Sequence, residues 1–273
     1  MKIAQFIQEG RLRLGLVEDG GVIPLDFAGD MVDFLTGDRT AVRGIGRPIP
    51  LEQIKLAPPV TRPGKIIGIG LNYRDHAEEQ NAKIPVEPRM FAKFATTLIG
   101  HNDPIVWEMA VTGQVDFEAE LAVVIGRSVK NCPQDKALDA VFGYTCANDV
   151  SARDIQLDRG ELVRGKSLDT FCPLGPWIVT ADEIPDPGTL TVRCFLNGAR
   201  MQEGTTRMLI FSVPALIAFL SRSFTLLAGD VILTGTTKGV GVFRNPPLFL
   251  KDKDEVVVEI EGIGRLANRC TAT

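Results

Sequence analysis

Short apolar runs broken by glycine and proline turns set the rhythm of this chain. Ile3–Ile7 and Leu14–Val17 read as short strands, Asp19-Gly20-Gly21 is a hairpin signal, and Met31–Leu35 has the spacing of a short helix. The stretch Ala57–Gly64, with Pro58, Pro59 and Pro63, reads as a linker. It divides the chain into a small β-rich N-terminal domain, residues 1–60, and a main domain, residues 61–273. In the main domain Lys65–Gly70, Glu118–Ile125, Phe142–Asn148, Trp177–Thr180, Leu190–Leu196, Asp230–Thr234 and Glu255–Ile260 predict strands. Helical spacing is confined to Arg74–Asn81, Gln134–Ala140 and Val213–Ser221, the last opened by Ser212 as N-cap with Pro214 in the first turn. There is no internal repeat, so the pattern predicts an α+β fold that is mainly β, with one main core.

Composition narrows the function classes. At 273 residues with 45% hydrophobic content the chain can bury a full core. Its 30 basic residues nearly balance its 34 acidic ones, and no basic run interleaved with aromatics marks a nucleic-acid surface. Apolar runs such as Leu121–Ile125 are far shorter than the ~18 residues of a membrane span, and the first residues lack the apolar stretch of a secretory signal. Neither nucleic acid nor membrane is therefore an expected partner, and a cytoplasmic location is expected. The five cysteines, at 132, 146, 172, 194 and 270, contain no C-x-x-C pair and read as small buried hydrophobes.

The acidic residues hold the chemistry. In Val115-Asp116-Phe117-Glu118-Ala119-Glu120, leading into the apolar run Leu121–Ile125, strand periodicity places Asp116, Glu118 and Glu120 on one face. Three carboxylates entering a buried strand repel one another unless a cation neutralises them. Taken alone, an exposed acidic strand face is an equal reading. A second apolar strand, however, ends in Asn148-Asp149, followed by Arg153 and Gln156, and adds another carboxylate at a polar strand end. All-oxygen ligation suits Mg2+ or Mn2+ rather than zinc or copper, and the scarcity of histidine, only His76 and His101, agrees.

Two motif matches fail on context. Gly160–Ser167 satisfies the phosphate-loop pattern G-x-x-x-x-G-K-[ST], but the charged stretch before it and Pro173 and Pro176 after it do not make the required strand–loop–helix. Gly68-Ile69-Gly70 lacks the third glycine of a dinucleotide fingerprint, since Tyr73 stands there, and reads as a strand-end turn.

The segments 116–126, 148–156 and 164–176, together with Gly-Leu-Asn-Tyr-Arg-Asp-His-Ala-Glu-Glu at 70–79 and Leu-Thr-Gly-Thr-Thr-Lys-Gly-Val-Gly at 233–241, resemble the fumarylacetoacetate hydrolase family in content and order. The resemblance covers the chain from about Lys65 onward. It implies a mixed β-sandwich roll, a homodimer, and a Mg2+ or Mn2+ ion held by Glu118, Glu120 and Asp149 with Lys166 beside it. By the same similarity His76 is the catalytic histidine, with Glu79 three residues later able to orient its ring. His101, in a Gly-His-Asn-Asp-Pro turn, has no such match. Two departures border the expected pocket: Lys93-Phe94 where relatives carry Lys-Pro, and Gly235-Thr236-Thr237 where they carry Gly-Thr-Pro.

The chemistry this implies is cleavage of a carbon–carbon bond in a small 2,4-dioxo acid to pyruvate and a carboxylic acid. His76 and Glu79 would activate water, while Arg153, Gln156, Thr236 and Lys166 grip substrate oxygens and the Gly239-Val240-Gly241 turn lets backbone approach. Decarboxylation of oxaloacetate, or isomerisation or decarboxylation of a hydroxymuconate-type diacid, is the alternative, because the same metal cradle serves each.

Overall fold

The computed structural model describes residues 1–18 and 20–273; Asp19 of the hairpin signal lies outside the described residues. The first sixty residues form β1 (Lys2–Gln8), β2 (Arg11–Glu18), β3 (Gly21–Pro24), helix α1 (Met31–Thr36), β4 (Ile49–Pro50) and β5 (Lys55–Ala57). β1 is buried on both faces: Ile3 packs into a core shared with Leu174 and Ile178, whereas Ala4 and Phe6 pack against Val22 and Leu56. It also pairs with β14 (Cys172–Thr180), Lys2 opposite Val179 and Ile3 opposite Ile178. The proline-bearing stretch after β5 is packed down, with Val60 buried and the Pro58 carbonyl accepting a hydrogen bond from Gln5 Nε2 at 2.6 Å. Asp30 caps α1 in a capping box with Asp33.

Between them and β14 run β6 (Ile66–Gly70), α2 (Arg74–Glu79), β7 (Arg89–Lys93), β8 (Leu98–Ile99), β9 (Ile105–Trp107), β10 (Val115–Asp116), β11 (Ala119–Ile125), β12 (Val141–Asn148), β13 (Ser151–Ala152) and α3 (Leu162–Lys166). After β14 come β15 (Thr191–Leu196), β16 (Ala199–Thr205), α4 (Val213–Ser223), β17 (Val231–Thr236), β18 (Glu255–Ile260) and β19 (Gly264–Ala272). The large sheet has the order β4-β3-β2-β1-β14-β12-β11-β17-β6-β7, and a second has the order β16-β15-β18-β19-β9. The two pack face to face, as the mainly β pattern predicts.

The place of β11 explains why Leu121–Ile125 is an unbroken apolar run. Every residue is buried: Leu121, Val123 and Ile125 face the inter-sheet core with Val192, Val258 and Leu266, while Ala122 and Val124 face the core that holds Ile3 and Phe34. α4 lays Val213, Leu216, Ile217 and Leu220 onto the inter-sheet core; Ser212 sits at its N-cap without a side-chain capping bond. Gln134–Ala140, expected as an α-helix, is a 3-10 segment instead. Gly68 lies within β6, where a Cβ would meet the Phe91 ring at 2.2 Å, and the turn begins after Gly70, at the end of the strand. No helix among the described residues is long and apolar enough to cross a membrane.

Candidate active site

The site forms where β11, β12, β17 and α2 meet. The strand expected over 115–125 is interrupted: after Asp116 the backbone leaves the ladder, and side chains replace the missing partners. Glu118 N donates to Asn148 Oδ1 and Ala119 N donates to Gln202 Oε1, both at 2.9 Å. The interruption takes Asp116 out of the strand that holds Glu120. It instead accepts from Gly241 N (2.7 Å) and Val242 N (3.0 Å), and from Arg153 Nε at 2.9 Å. Arg153 Nη2 then lies 2.7 Å from Glu118 Oε1, so Asp116 reaches the acidic cluster through a guanidinium.

Glu118, Glu120 and Asp149 converge, each offering an oxygen within 4.8 Å of the others, and all three are buried. Lys166 Nζ donates to Glu118 Oε2 (2.8 Å) and to Asp149 Oδ2 (2.7 Å), and Lys93 Nζ donates to Asp149 Oδ1 at 2.6 Å. Arg153, Lys166 and Lys93 thus pair with three carboxylates, Asp116, Glu118 and Asp149, and Glu120, which has no cation partner among the described residues, adds a fourth beside them. Burial pushes Glu118 up, but Lys166 and Arg153 outweigh it and hold the carboxyl well below its usual range. Glu120 goes the other way: burial, Asp149 and Glu118 all push its pKa up, against which Lys166 and the Gly235 amide, 2.6 Å away, are insufficient. Burial opposes the charge on Lys166, yet Asp149 and Glu118 keep it above the ordinary lysine value. A carboxyl crowded by two others is what a divalent cation relieves, so the donor set fits a hard, oxygen-seeking ion.

His76 is buried on α2. Its Nδ1 is 2.8 Å from Glu79 Oε2, and its Nε2 is 2.6 Å from Gln80 Nε2. These contacts are satisfied together when Nδ1–H donates to Glu79 and Nε2 accepts from the Gln80 amide. Glu79 in turn accepts from Gly239 N at 2.8 Å. Together with Glu118, Glu120, Arg153, Gln156, Lys166 and Thr236, His76 lines a cavity of about 280 Å³, at the small end for ligand pockets.

Several of the expected oxygen grips already have protein partners. Gln156 Oε1 accepts from Arg153 Nη1 at 2.8 Å, and the Thr236 hydroxyl donates to the Ala119 carbonyl at 2.9 Å. The Gly239 and Gly241 amides go to Glu79 and Asp116. Glycine is needed at 241 because a Cβ would stand 1.9 Å from the Leu248 carbonyl oxygen. The phosphate-loop match dissolves: Asp154–Asp158 is a π-helical turn rather than a strand, and Lys166 is tied to two carboxylates. His101 accepts from Ala267 N at 3.1 Å through Nδ1, and burial lowers its pKa. Burial raises the thiols of Cys146, Cys172, Cys194 and Cys270, Cys172 to about 12, as suits inert packing groups, whereas Cys132 is only half-buried.

Sequence reasoning missed two residues. In the sequence Lys93 stands out only as a departure in a loop, although its inward register two residues from buried Phe91 is a usable signal. Gln202 gave none: it lies 83 positions from Ala119, whose amide it accepts, and its Nε2 donates to Thr236 Oγ1 (2.8 Å) and the Thr237 carbonyl (2.7 Å).

Residues 65–271 match the family described as fumarylacetoacetate (FAA) hydrolase, C-terminal. Over 286 aligned residues the chain is 41% identical to the oxaloacetate tautomerase Fahd2a, mitochondrial, of Rattus norvegicus, covering 98% of this chain and 91% of that one. Its fold is similar to the crystal structure of 2-hydroxyhepta-2,4-diene-1,7-dioate isomerase from Mycobacterium marinum, with a TM-score of 0.84 at 35% identity, over 100% of this chain and 99% of that one. It is also similar to maleylpyruvate hydrolase from Sphingobium sp. SYK-6 in complex with manganese(II) ion and pyruvate, with a TM-score of 0.82 at 31% identity, again over 100% and 99%. The chain belongs to the fumarylacetoacetate hydrolase family.

Proposed function

We propose that this chain is a divalent-metal-dependent enzyme that interconverts the enol and keto forms of a short 2-oxo diacid of the oxaloacetate class, with Glu118, Glu120 and Asp149 as metal ligands and His76 as base. The observation that supports it most is that His76, paired with Glu79 at 2.8 Å, lines the same small cavity as Glu118 and Glu120. Likeness to a rat oxaloacetate tautomerase over nearly the whole chain points the same way. A Mg2+ or Mn2+ ion held by Glu118, Glu120 and Asp149 would supply Lewis-acid stabilisation of negative charge developing on the substrate's 2-oxo oxygen.

The chain's own residues do the rest. Glu79 fixes the tautomer of His76, leaving the Nε2 lone pair available once Gln80 swings aside. In the keto-forming direction Nε2 takes the enol hydroxyl proton and the resulting imidazolium returns it to C3. The net change is a 1,3-proton shift that needs no co-reactant. Lys166 and Arg153 keep Glu118 ionised as that proton moves.

A second reading has support of its own. The same Nε2 can take a proton from water that attacks the distal acyl carbonyl of a 2,4-dioxo acid, releasing pyruvate and a carboxylic acid, and the likeness to maleylpyruvate hydrolase favours it. Decarboxylation of oxaloacetate, or isomerisation of a hydroxymuconate-type diacid, would use the same cradle without an activated water.

The test follows the enol absorbance of freshly dissolved oxaloacetate beside pyruvate release from acylpyruvates, with Mg2+ and with Mn2+. Enol decay well above the buffer rate, lost by ~100-fold to 10,000-fold in His76→Ala, is expected. Enol decay at the buffer rate with rapid acylpyruvate cleavage would put the hydrolase first. Inertness toward both, and toward decarboxylation, would sink the assignment of an enzyme on 2-oxo acids.

A further inference from the structure

The cavity holds one cation that the acidic cluster does not neutralise. Arg153 is paired with Asp116 and Glu118, and Lys166 with Glu118 and Asp149. Arg89 also lines the cavity, is exposed, and has no ion-pair or side-chain hydrogen-bond partner among the described residues.

β7 places these groups in a line. Lys93, Phe91 and Arg89 alternate onto one side of the strand: Lys93 Nζ reaches Asp149, the Phe91 ring lies 5.3 Å from Lys166 Nζ, and Arg89 comes last, opposite Gly70. At about 3.4 Å per residue, the Arg89 Cα stands roughly 13–14 Å along the strand from that of Lys93. Arg89 therefore stands on the strand at the end of the cavity lining farther from Lys93 and the acidic triad.

Charge gives this placement a purpose. Four carboxylates against three cations leave the inner cluster with one negative charge, which a divalent ion turns into one positive charge. That balances one carboxylate, the one beside the 2-oxo group, and a second carboxylate on the same substrate finds no counter-charge there. We propose that Arg89 is a specificity-determining residue that receives the distal carboxylate of the substrate, so that the site selects 2-oxo diacids over 2-oxo monoacids. This rests on the reading of the triad as the metal-bound 2-oxo acid site.

The test compares inert ligands matched in length, 2-oxoglutarate and 2-oxopentanoate, by calorimetry on the Mg2+-loaded protein, with oxalate as a probe of the inner end alone. The wild type should bind the diacid about five- to ten-fold more tightly, as a solvent-reached bidentate pair allows. Arg89→Gln should bring the two within about two-fold, Arg89→Lys should retain part of the preference, and oxalate affinity should stay unchanged in both. The preference should also shrink between ~10 mM and ~1 M salt, where the Debye length falls from about 30 Å to 3 Å. Equal binding of both ligands by the wild type, or an undiminished preference in Arg89→Gln, overturns the assignment while oxalate binding leaves the inner site standing. So does an equal weakening of oxalate and diacid in Arg89→Gln. Failure of the loaded wild type to bind oxalate would instead remove the metal-site reading, and this inference with it.

Discussion

The Thr237 hydroxyl donates to Asp75 Oδ2 at 2.5 Å, tying the residue before His76 to the loop that follows β17. Asp75 Oδ1 also accepts from His76 N at 2.9 Å, so one carboxyl group links the histidine backbone to that loop. Gln202 holds the other side of the same loop and reaches Ala119, between Glu118 and Glu120. The acidic triad and the histidine are thus held in register by side chains that do not line the cavity.

Thr237→Val should therefore misplace His76 without disturbing the triad. A hydrogen bond lost from a buried carboxyl group costs about 1–3 kcal/mol of stability. The turnover number should fall about 10-fold to 100-fold, the scale of a small misplacement of a catalytic group. KM should stay within about two-fold, and Thr237→Ser should restore the rate. Steady-state kinetics beside thermal unfolding checks this; a rise in KM with unchanged turnover would show that the loop serves binding rather than His76.

The strand β11 and the His76–Glu79 spacing are legible because each is local: a run of apolar residues, and an i,i+3 pair on one helix turn; Glu118, Glu120 and Asp149 are grouped only by the family resemblance, since period-two alternation joins Asp116 to the two glutamates instead. What was not legible depends on distant contacts. The break after Asp116 is invisible in the pattern D-x-E-x-E, since it exists only because Asn148 and Gln202 offer oxygens to the amides of Glu118 and Ala119. Gly68 read as a turn glycine because its reason, the Phe91 ring of the neighbouring strand, lies across the sheet. Likewise, nothing local told that Thr236 and the Gly239 and Gly241 amides already have protein partners.

Glu120 predicts a sign for the pH dependence of the metal-free protein. Its folded-state pKa is raised above the unfolded value, near 4.3, by burial and by the Asp149 and Glu118 charges. Its contribution is therefore fully present below the unfolded value and is lost as pH rises through the folded one. Chelator-treated wild type should lose melting temperature as pH climbs from about 5, where Glu120→Gln should be flatter and more stable. Adding Mg2+ or Mn2+ should restore the wild type, by mass action, and leave Glu120→Gln little changed. Melting curves across pH with and without the ion decide it; a metal-free Glu120→Gln protein less stable than wild type at neutral pH would contradict the repulsion.

Asp30 behaves oppositely. It accepts from the Val32 and Asp33 amides and pairs with Arg62; burial opposes, but these contacts hold its pKa below the ordinary value. Its stabilisation is present above pH ~4 and lost as acid protonates it. Asp30→Ala should cost about 1–2 kcal/mol at neutral pH, mostly as a lost helix cap, and the difference from wild type should shrink toward pH ~3. Denaturant unfolding at the two pH values measures it; a constant difference would mean that the cap does not depend on the ionised carboxylate.

Binding and proton transfer should separate at His76. The ring contacts Glu79 and Gln80, whereas the triad is held by Lys93, Arg153 and Lys166, so deleting the imidazole leaves every ion pair of the cluster in place. His76→Ala should accordingly bind Mg2+ or Mn2+ and oxalate, a stable mimic of the chelating end of a 2-oxo acid, with near-normal affinity. Any reaction that needs Nε2 as base should fall by ~100-fold to 10,000-fold. Glu79→Gln keeps a hydrogen-bonding group beside Nδ1 but removes the negative charge that supports an imidazolium, so its loss should be smaller. Decarboxylation of oxaloacetate, which needs no base on water or on carbon, should suffer least of all. Calorimetry for the ion and oxalate, run beside the enol and acylpyruvate assays on the same preparations, resolves the two roles. Near-normal turnover in His76→Ala would show that the histidine is not the base and would move the decarboxylase reading ahead, whereas loss of oxalate binding in that variant would mean that the ring helps to build the site it faces.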